Sequence, residues 1–328
     1  MNEPVPWREA WWSALYGPRG FYRQPTGPSG HFTTATHGAT GAALARTLWA
    51  WAHRYDLDGI VDVGAGRGEL LSHLYAAAPD RPLAGLDVVS RPVDLPDAVA
   101  WAESPGGSLL PADWSPPRAL LVAHEWLDVV PCTLAEVDHA GVLRELCVPL
   151  TPLSNPGSCS EPHRNPYPDR TNEPLGPPLS GPDLEWCQQF WPTDRVGDPV
   201  EVGRQRDEAW SALLDRLAPG SVALAIDYGH EASDRPTDGT FAAYREGHLV
   251  DPVPDGSCDL TAHVAIDSLR QTRRLRQRDA VPPAEPPDHG LASHDPATYL
   301  ASLADHSAVA ALRRTGGFGD FWWVVAEG

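Results

Sequence analysis

The stretch Ile60-Val61-Asp62-Val63-Gly64-Ala65-Gly66-Arg67-Gly68-Glu69-Leu70-Leu71 has the residue types and spacing best suited to chemistry in this chain. An apolar run enters a glycine-rich turn, and a helical pattern leaves it. This is the strand–loop–helix that receives a nucleotide-like cofactor at the carboxyl end of a parallel sheet. Glycine suits the turn because a ligand approaches backbone closely only where no Cβ intrudes. Asp62, Gly64, Gly66 and Gly68 are therefore candidate cofactor contacts.

The spacing also discriminates between cofactors. A dinucleotide fingerprint needs a third glycine at position 69, and Glu69 stands there, in the first turn of the expected helix. A carboxylate at a helix start opposes a pyrophosphate but not a cation. S-adenosylmethionine (SAM) carries a sulfonium and no phosphate, and it is the expected cofactor. Pro82-Leu83-Ala84-Gly85-Leu86-Asp87 reads as a second strand ending in an acid. Asp87 follows the glycines by about 20 residues, where an acid can bind ribose hydroxyls. Arg118 to Ala123 reads as a third buried strand, followed by His124-Glu125. Three strand ends with polar chemistry then converge on one crevice.

Those ends need elements to hold them. Trp7 to Tyr22 has Trp11, Trp12, Leu15 and Tyr16 at helical spacing, closed by Gly17-Pro18-Arg19-Gly20. Gly30 to Ala35 is a short polar–aromatic loop, and Ala42 to Tyr55 reads as a helix. Cys132–Val137 and Val142–Val148 flank Asp138-His139-Ala140-Gly141 as a hairpin. From Pro149 to Pro199 proline is dense enough to predict an irregular, partly mobile insertion. Helix returns at Glu208 to Leu217, and Gly220 to Gly229 is a buried strand ending in Asp227-Tyr228-Gly229. Asp279 to His294 is a second loose stretch, and Phe321 to Ala326 a last strand. The whole predicts an α/β protein with a Rossmann-like, doubly wound, mostly parallel sheet and a long insertion. Its expected parts are an N-terminal helical cap over 1–58, a SAM-binding half-core over 59–131, a hairpin and proline-rich insertion over 132–200, and a second half-core with substrate-side elements over 201–328.

Composition narrows the partners. A net charge of −19 opposes nucleic acid as a main partner. No run of 18 apolar residues suggests a membrane span, and no secretory signal is readable, so a cytoplasmic location is expected. The five cysteines lack C-x-x-C spacing, and neither a metal site nor a disulfide framework is expected. All 25 Lys+Arg residues are arginine. This excludes P-loop, Schiff-base and pyridoxal-phosphate lysine chemistry.

Several segments together resemble the MidA-like family of class I SAM-dependent methyltransferases, relatives of the mitochondrial arginine methyltransferase that assists complex I assembly. They are Leu15-Tyr16-Gly17-Pro18, Gly20-Phe21-Tyr22, Phe32-Thr33-Thr34, the glycine motif, and Ala123-His124-Glu125-Trp126-Leu127-Asp128-Val129-Val130-Pro131. Asp227-Tyr228-Gly229, Gly239-Thr240-Phe241 with Tyr244-Arg245, and Asp259-Leu260-Thr261-Ala262-His263-Val264 complete the set. The chain departs from the family pattern in three places. His124 replaces asparagine, His31 an aspartate, and Ala265-Ile266 the pair Asp-Phe. The resemblance implies a methyltransferase acting on protein, with arginine nitrogen as acceptor. Thr33, Thr34 and Asp113 join the candidate cofactor contacts.

Methyl transfer from a sulfonium is an in-line displacement that depends on positioning. A guanidinium acceptor must also lose a proton, and carboxylates serve both needs through bidentate pairing. Glu125 is the first candidate, just past a strand end beside the crevice. Asp128, three residues on, either shares a helical face with it or is a first-turn acid. His124 is a candidate base, and Asp227 and Tyr228 end a strand on the same sheet edge. His263 is either a substrate contact or a structural donor, and Trp126 either walls the pocket or packs in the core. A small-molecule or peptide acceptor, and a non-catalytic SAM-binding assembly protein, remain open alternatives.

Overall fold

The computed structural model describes residues 4–24, 34–148, 174–287 and 294–328. Its centre is a seven-stranded sheet. Chain order begins with the short β1 (Val5–Pro6), helix α1 (Trp7–Tyr16) and helix α2 (Gly38–Arg54). Next come β2 (Ile60–Val63), α3 (Glu69–Ala77), β3 (Leu83–Asp87), β4 (Val99–Glu103) and β5 (Leu120–His124). A second group follows: β6 (Thr133–Val137), β7 (Leu143–Val148), β8 (Leu175–Pro178), α4 (Gly181–Phe190), β9 (Pro199–Val202) and α5 (Arg204–Leu214). The chain returns to the centre with β10 (Val222–Asp227). It then makes β11 (Gly229–His230), β12 (Ala242–Arg245), β13 (His248–Val250), β14 (Asp259–Thr261) and β15 (Val264–Ala265). It closes with β16 (Arg273–Arg276), α6 (Gln277–Ala280), α7 (Pro296–Arg313) and β17 (Trp322–Glu327).

The central sheet runs β16-β17-β10-β5-β2-β3-β4. Strands β10, β5, β2, β3 and β4 are mutually parallel, and β17 is antiparallel to β10 and β16. Strand order reverses between β2 and β5, where a crevice opens at the carboxyl ends. Successive side chains leave a strand on opposite faces, and both faces are apolar here. Ile60, Leu120, Val122 and Leu224 face α2, α3 and α7 through Leu44, Leu48, Leu71, Leu74 and Leu312. Val61, Leu121, Ala123 and Ala225 face α5 through Trp210 and Leu213. Helices therefore cover both faces, which is why these strands read as continuous apolar runs.

Beside this core lies a five-stranded sheet, ordered β1-β7-β6-β9, with β8 also paired to β7. Helix α1 packs Trp7, Trp11 and Leu15 against Leu134, Leu146, Phe241 and Leu260. The predicted hairpin forms, with the amide of Asp138 bonded to the Val142 carbonyl at 2.9 Å.

The expectation of an irregular Pro149–Pro199 is corrected in its second half; residues 149–173 lie outside the described residues. Strand β8, helix α4 and the start of β9 occupy 175–199. The prolines sit where proline is tolerated. Pro177 and Pro178 lie in a short peripheral strand, Pro182 in the first turn of α4, and Pro199 at the first residue of β9, the last strand of its sheet. Among the described residues, no helix is long and apolar enough to cross a membrane.

Candidate active site

The crevice at the strand-order reversal is a cavity whose floor is the glycine loop. Gly64, Gly66 and Gly68 have φ of +77°, +57° and +79°, left-handed values that disfavour any side chain. The loop is tied to β3 by the amides of Gly64 and Ala65, both bonded to the Leu86 carbonyl. A Cβ on Gly64 would come within 3.0 Å of the Trp126 ring, so this glycine lets Trp126 close over the loop. Gly68 does not line the cavity; it caps α3 and sits under Leu95. Glu69 does begin α3, and its Oε2 accepts the Arg67 amide at 2.9 Å.

Around this floor stand Thr34, Thr36, His37, Asp62, Asp87, Val88 and Val89, with Ser104 to Leu110 beyond. The Asp87 carboxylate accepts the Gly66 amide at 2.8 Å and the Val89 amide at 3.2 Å. Burial nonetheless pushes Asp87 up to about 6. Asp62 is buried, and burial, then the charges of Asp87 and Glu69, push it up to about 8. Thr34 hydrogen bonds to Thr36 and His37. Thr33 lies outside the described residues. Asp113 is exposed and does not line the cavity; Leu109 and Leu110, from the same loop, do.

The opposite wall carries His124, Glu125, Trp126, Asp128, Val129, Asp259, Tyr16 and Tyr22. Glu125 has a φ of +50°, unusual for a residue with a side chain. Its amide is held by the Ile226 carbonyl at 2.9 Å, which fixes the bend as the chain leaves β5. Residues 125–130 form a turn and not a helix, so Asp128 is neither on a helical face with Glu125 nor a first-turn acid. Asp128 is instead buried, with Oδ2 accepting the Thr261 hydroxyl at 2.8 Å. Tyr22 donates to Asp259 at 2.7 Å, and Tyr16 donates to the Val129 carbonyl at 3.0 Å.

Crowding sets the electrostatics of this wall. Burial, then the charges of Asp128 and Asp259, push Glu125 up to about 8. Burial raises Asp259 to about 7, and Asp128 rises for the same reason. His124 is driven down to about 4 by burial. Its Nδ1 lies 3.4 Å from Glu125 Oε1, but a neutral ring forms no ion pair. As a base near neutral pH it is weak. Arg206, fully buried, spends its guanidinium on the carbonyls of Asp128, Val130 and His263. Glu125 Oε1, Asp128 Oδ1 and His124 Nε2 are buried without a hydrogen-bond partner among the described residues.

Two candidates lie behind this wall. Asp227 does not line the cavity: its carboxylate accepts the amides of Leu127, Asp128 and Tyr228 and so braces the turn. Tyr228 reaches Glu125 Oε2 with its hydroxyl at 3.4 Å. His263 is exposed and stacks on Tyr228, with ring centroids 5.8 Å apart. Trp126 both walls the cavity and packs in the core. Tyr16, Tyr22, His37 and Asp259 were missed as site residues. A signal existed for three of them, since Tyr16, Tyr22 and Asp259 lie inside the segments that carry the family resemblance. Among the described residues no His/Cys/Asp/Glu group could hold a metal ion.

An open parallel sheet with a glycine cradle and an acid at the next strand end is the arrangement of a protein that binds a nucleoside-bearing cofactor. The profile of the family described as "Putative S-adenosyl-L-methionine-dependent methyltransferase" matches residues 89–281, and the chain belongs to that family. None of the curated proteins matches it. Among solved structures it is similar to a protein from Burkholderia thailandensis bound to S-adenosyl-homocysteine, at 18% identity and TM-score 0.71, covering 99% of this chain and 88% of that one. An uncharacterized protein from the same organism has 19% identity and TM-score 0.69, covering 99% and 87%. The protein is a SAM-dependent methyltransferase.

The residues present suit that cofactor. Above Gly66 a Cβ would meet only Glu69 Oε2, at 3.3 Å, so the cradle is open backbone. Among the described residues the wall contains many carboxylates and, in Arg67, one guanidinium.

Proposed function

We propose that the enzyme methylates a cationic nitrogen, an arginine guanidinium on a protein, and that it is a MidA-like member of the class I, Rossmann-like group. Supporting the fold reading is the sheet order, with its single reversal and antiparallel β17. The observation that carries the acceptor reading is the wall made by Glu125, Asp128 and Asp259. These are three clustered carboxyls, Asp128 and Asp259 buried and Glu125 partly so, and Glu125 Oε1 and Asp128 Oδ1 have no hydrogen-bond partner among the described residues. Buried acceptor oxygens without donors are costly. A guanidinium supplies planar, paired donors and the opposite charge.

When bound, SAM supplies an electrophilic methyl group. Asp62, Gly64, Gly66, Asp87 and Thr34 hold it in this reading. Glu125 orients the acceptor nitrogen and takes its proton. With an empty cavity Glu125 keeps its proton at neutral pH; an arriving cation favours the ionised form and readies it as a base. Tyr228 steadies Glu125, and Asp227 holds the turn that presents Asp128. The departure at Ala265 leaves this wall intact, because Ala265 is buried beside Trp186 and Trp191 and does not line the cavity.

The test is transfer of labelled methyl groups from SAM into proteins of a host lacking the enzyme, followed by complete hydrolysis. Methylarginine is the expected product. Label confined to small molecules or to other amino acids would refute the acceptor assignment and leave the cofactor assignment standing.

A further inference from the structure

SAM is a zwitterion at its amino-acid end, so the cavity must satisfy a carboxylate as well as two positive charges. Almost every charged group on the wall is wrong for that carboxylate. Asp62, Glu69, Asp87, Glu125, Asp128 and Asp259 carry no positive charge to offer it, and each repels it once ionised. Arg67 lines the cavity, but its guanidinium donates to the Gln24 carbonyl and its charge is set against Asp87. His124 lies on the acceptor wall.

Among the described residues His37 is a further polar nitrogen on this wall, and its geometry makes it a donor. The Thr34 backbone amide donates to its Nδ1 at 3.2 Å. A nitrogen that accepts an N–H carries no proton, so in the neutral ring the proton sits on Nε2. Nε2 is buried and has no partner among the described residues. The ring lines the cavity beside Thr34, Thr36 and the Gly64–Gly66 cradle. His37 is also the N-cap of the 17-residue helix α2, and a helix start favours negative charge nearby.

We infer that His37 is a cofactor-binding residue: its Nε2–H donates to the carboxylate of SAM and of its product S-adenosylhomocysteine, while Asp62 takes the ammonium at the other end of the same zwitterion. The two residues then sort the amino-acid group by charge and fix which way the cofactor lies on the glycine loop. This rests on the cofactor assignment and not on the choice of methyl acceptor.

The test is a binding cycle by calorimetry, requiring no turnover. Two ligands are titrated: S-adenosylhomocysteine, and its decarboxylated analogue, which keeps the adenosine, thioether and amine. Two proteins are compared, wild type and His37→Ala, with His37→Gln as a milder variant and thermal unfolding without ligand as a folding check. A charge-assisted hydrogen bond is worth roughly tenfold or more in affinity. Wild type should prefer S-adenosylhomocysteine over the analogue by about that factor, and His37→Ala should lose the preference while binding the analogue as wild type does. An equal loss of affinity for both ligands would make His37 merely structural, and an unchanged preference would put the carboxylate elsewhere. Either result overturns the inference. Wild-type protein that binds neither ligand would overturn the cofactor assignment with it.

Discussion

The two walls of the cavity are built on opposite principles. The cofactor side is local backbone: Asp62 to Glu69 is one short segment whose left-handed glycines remove side chains and let a ligand approach the main chain. The acceptor side is assembled from distant side chains. Asp128 meets Thr261 across 133 residues, and Tyr22 meets Asp259 across 237. The first wall depends on backbone angles that side chains rarely adopt, while the second depends on a balance of buried charge. Substitutions should therefore separate the walls: one set abolishes ligand binding, and the other changes turnover, stability and pH response.

The largest effect is expected at Gly66. A valine there must adopt φ near +57°, and its branch projects toward the cradle beside Glu69. Strain alone costs about 1–3 kcal/mol. Gly66→Val should remove measurable S-adenosylhomocysteine binding by calorimetry while far-UV circular dichroism stays that of wild type. Wild-type affinity in this variant would erase the contrast between the walls.

The next effect belongs to the acceptor side. Glu125→Gln keeps the shape and removes the charge and the base. Methyl transfer should fall on the order of 10²-fold, the usual cost of a positioned acid–base group. Affinity for S-adenosylhomocysteine should hold within about threefold, since a difference that small is below 1 kcal/mol. Normal turnover would remove Glu125 from the chemistry.

The same contrast decides how much of the molecule was legible in the sequence. Strands β2, β3, β5 and β10 were readable because both faces are buried, which produces unbroken apolar runs. Glycine spacing fixed the cofactor loop because its requirement is a backbone angle. The acceptor wall is different. Glu125 was readable from its place after β5, but Asp259 stands far along the chain, and only folding brings it beside Asp128. Asp227 looked like a site residue because it ends a strand at the crevice. Its three backbone donors instead make it a brace, and no sequence pattern separates those roles. Proline density misled at 175–199, since it counts prolines without their positions: first turns and peripheral strands accept them.

Asp227 offers a sharper comparison within the acceptor side. Asp227→Ala strips the acceptor from the amides of Leu127, Asp128 and Tyr228. Each orphaned buried amide costs about 1–3 kcal/mol. Removing a carboxyl that is raised by burial and by the charges of Asp128 and Glu125 offsets part of that. A net loss of about 2 kcal/mol in chemical unfolding is expected. Cofactor binding should survive, because the glycine loop hangs from Leu86 and not from Asp227. Undiminished stability would return Asp227 to the list of functional candidates.

The smallest effect is the most specific to buried charge. Glu125 is raised from 4.5 to about 8 in the folded protein. The folded state thus binds a proton more tightly than the unfolded chain. Its contribution to stability is complete below about pH 4.5 and is lost as pH rises through about 8. Glutamine mimics the protonated carboxyl and has no such dependence. Ligand-free wild type and Glu125→Gln should therefore melt at similar temperatures near pH 5. Wild type should fall behind progressively toward pH 8.5, by a few degrees. The gap should narrow when a cationic acceptor peptide is added, because its charge favours the ionised carboxylate and restores what the high pH removed. Parallel melting curves across that pH range would mean that Glu125 ionises as an ordinary surface acid. The acceptor wall would then lack the crowded carboxyls on which its preference for a cation rests.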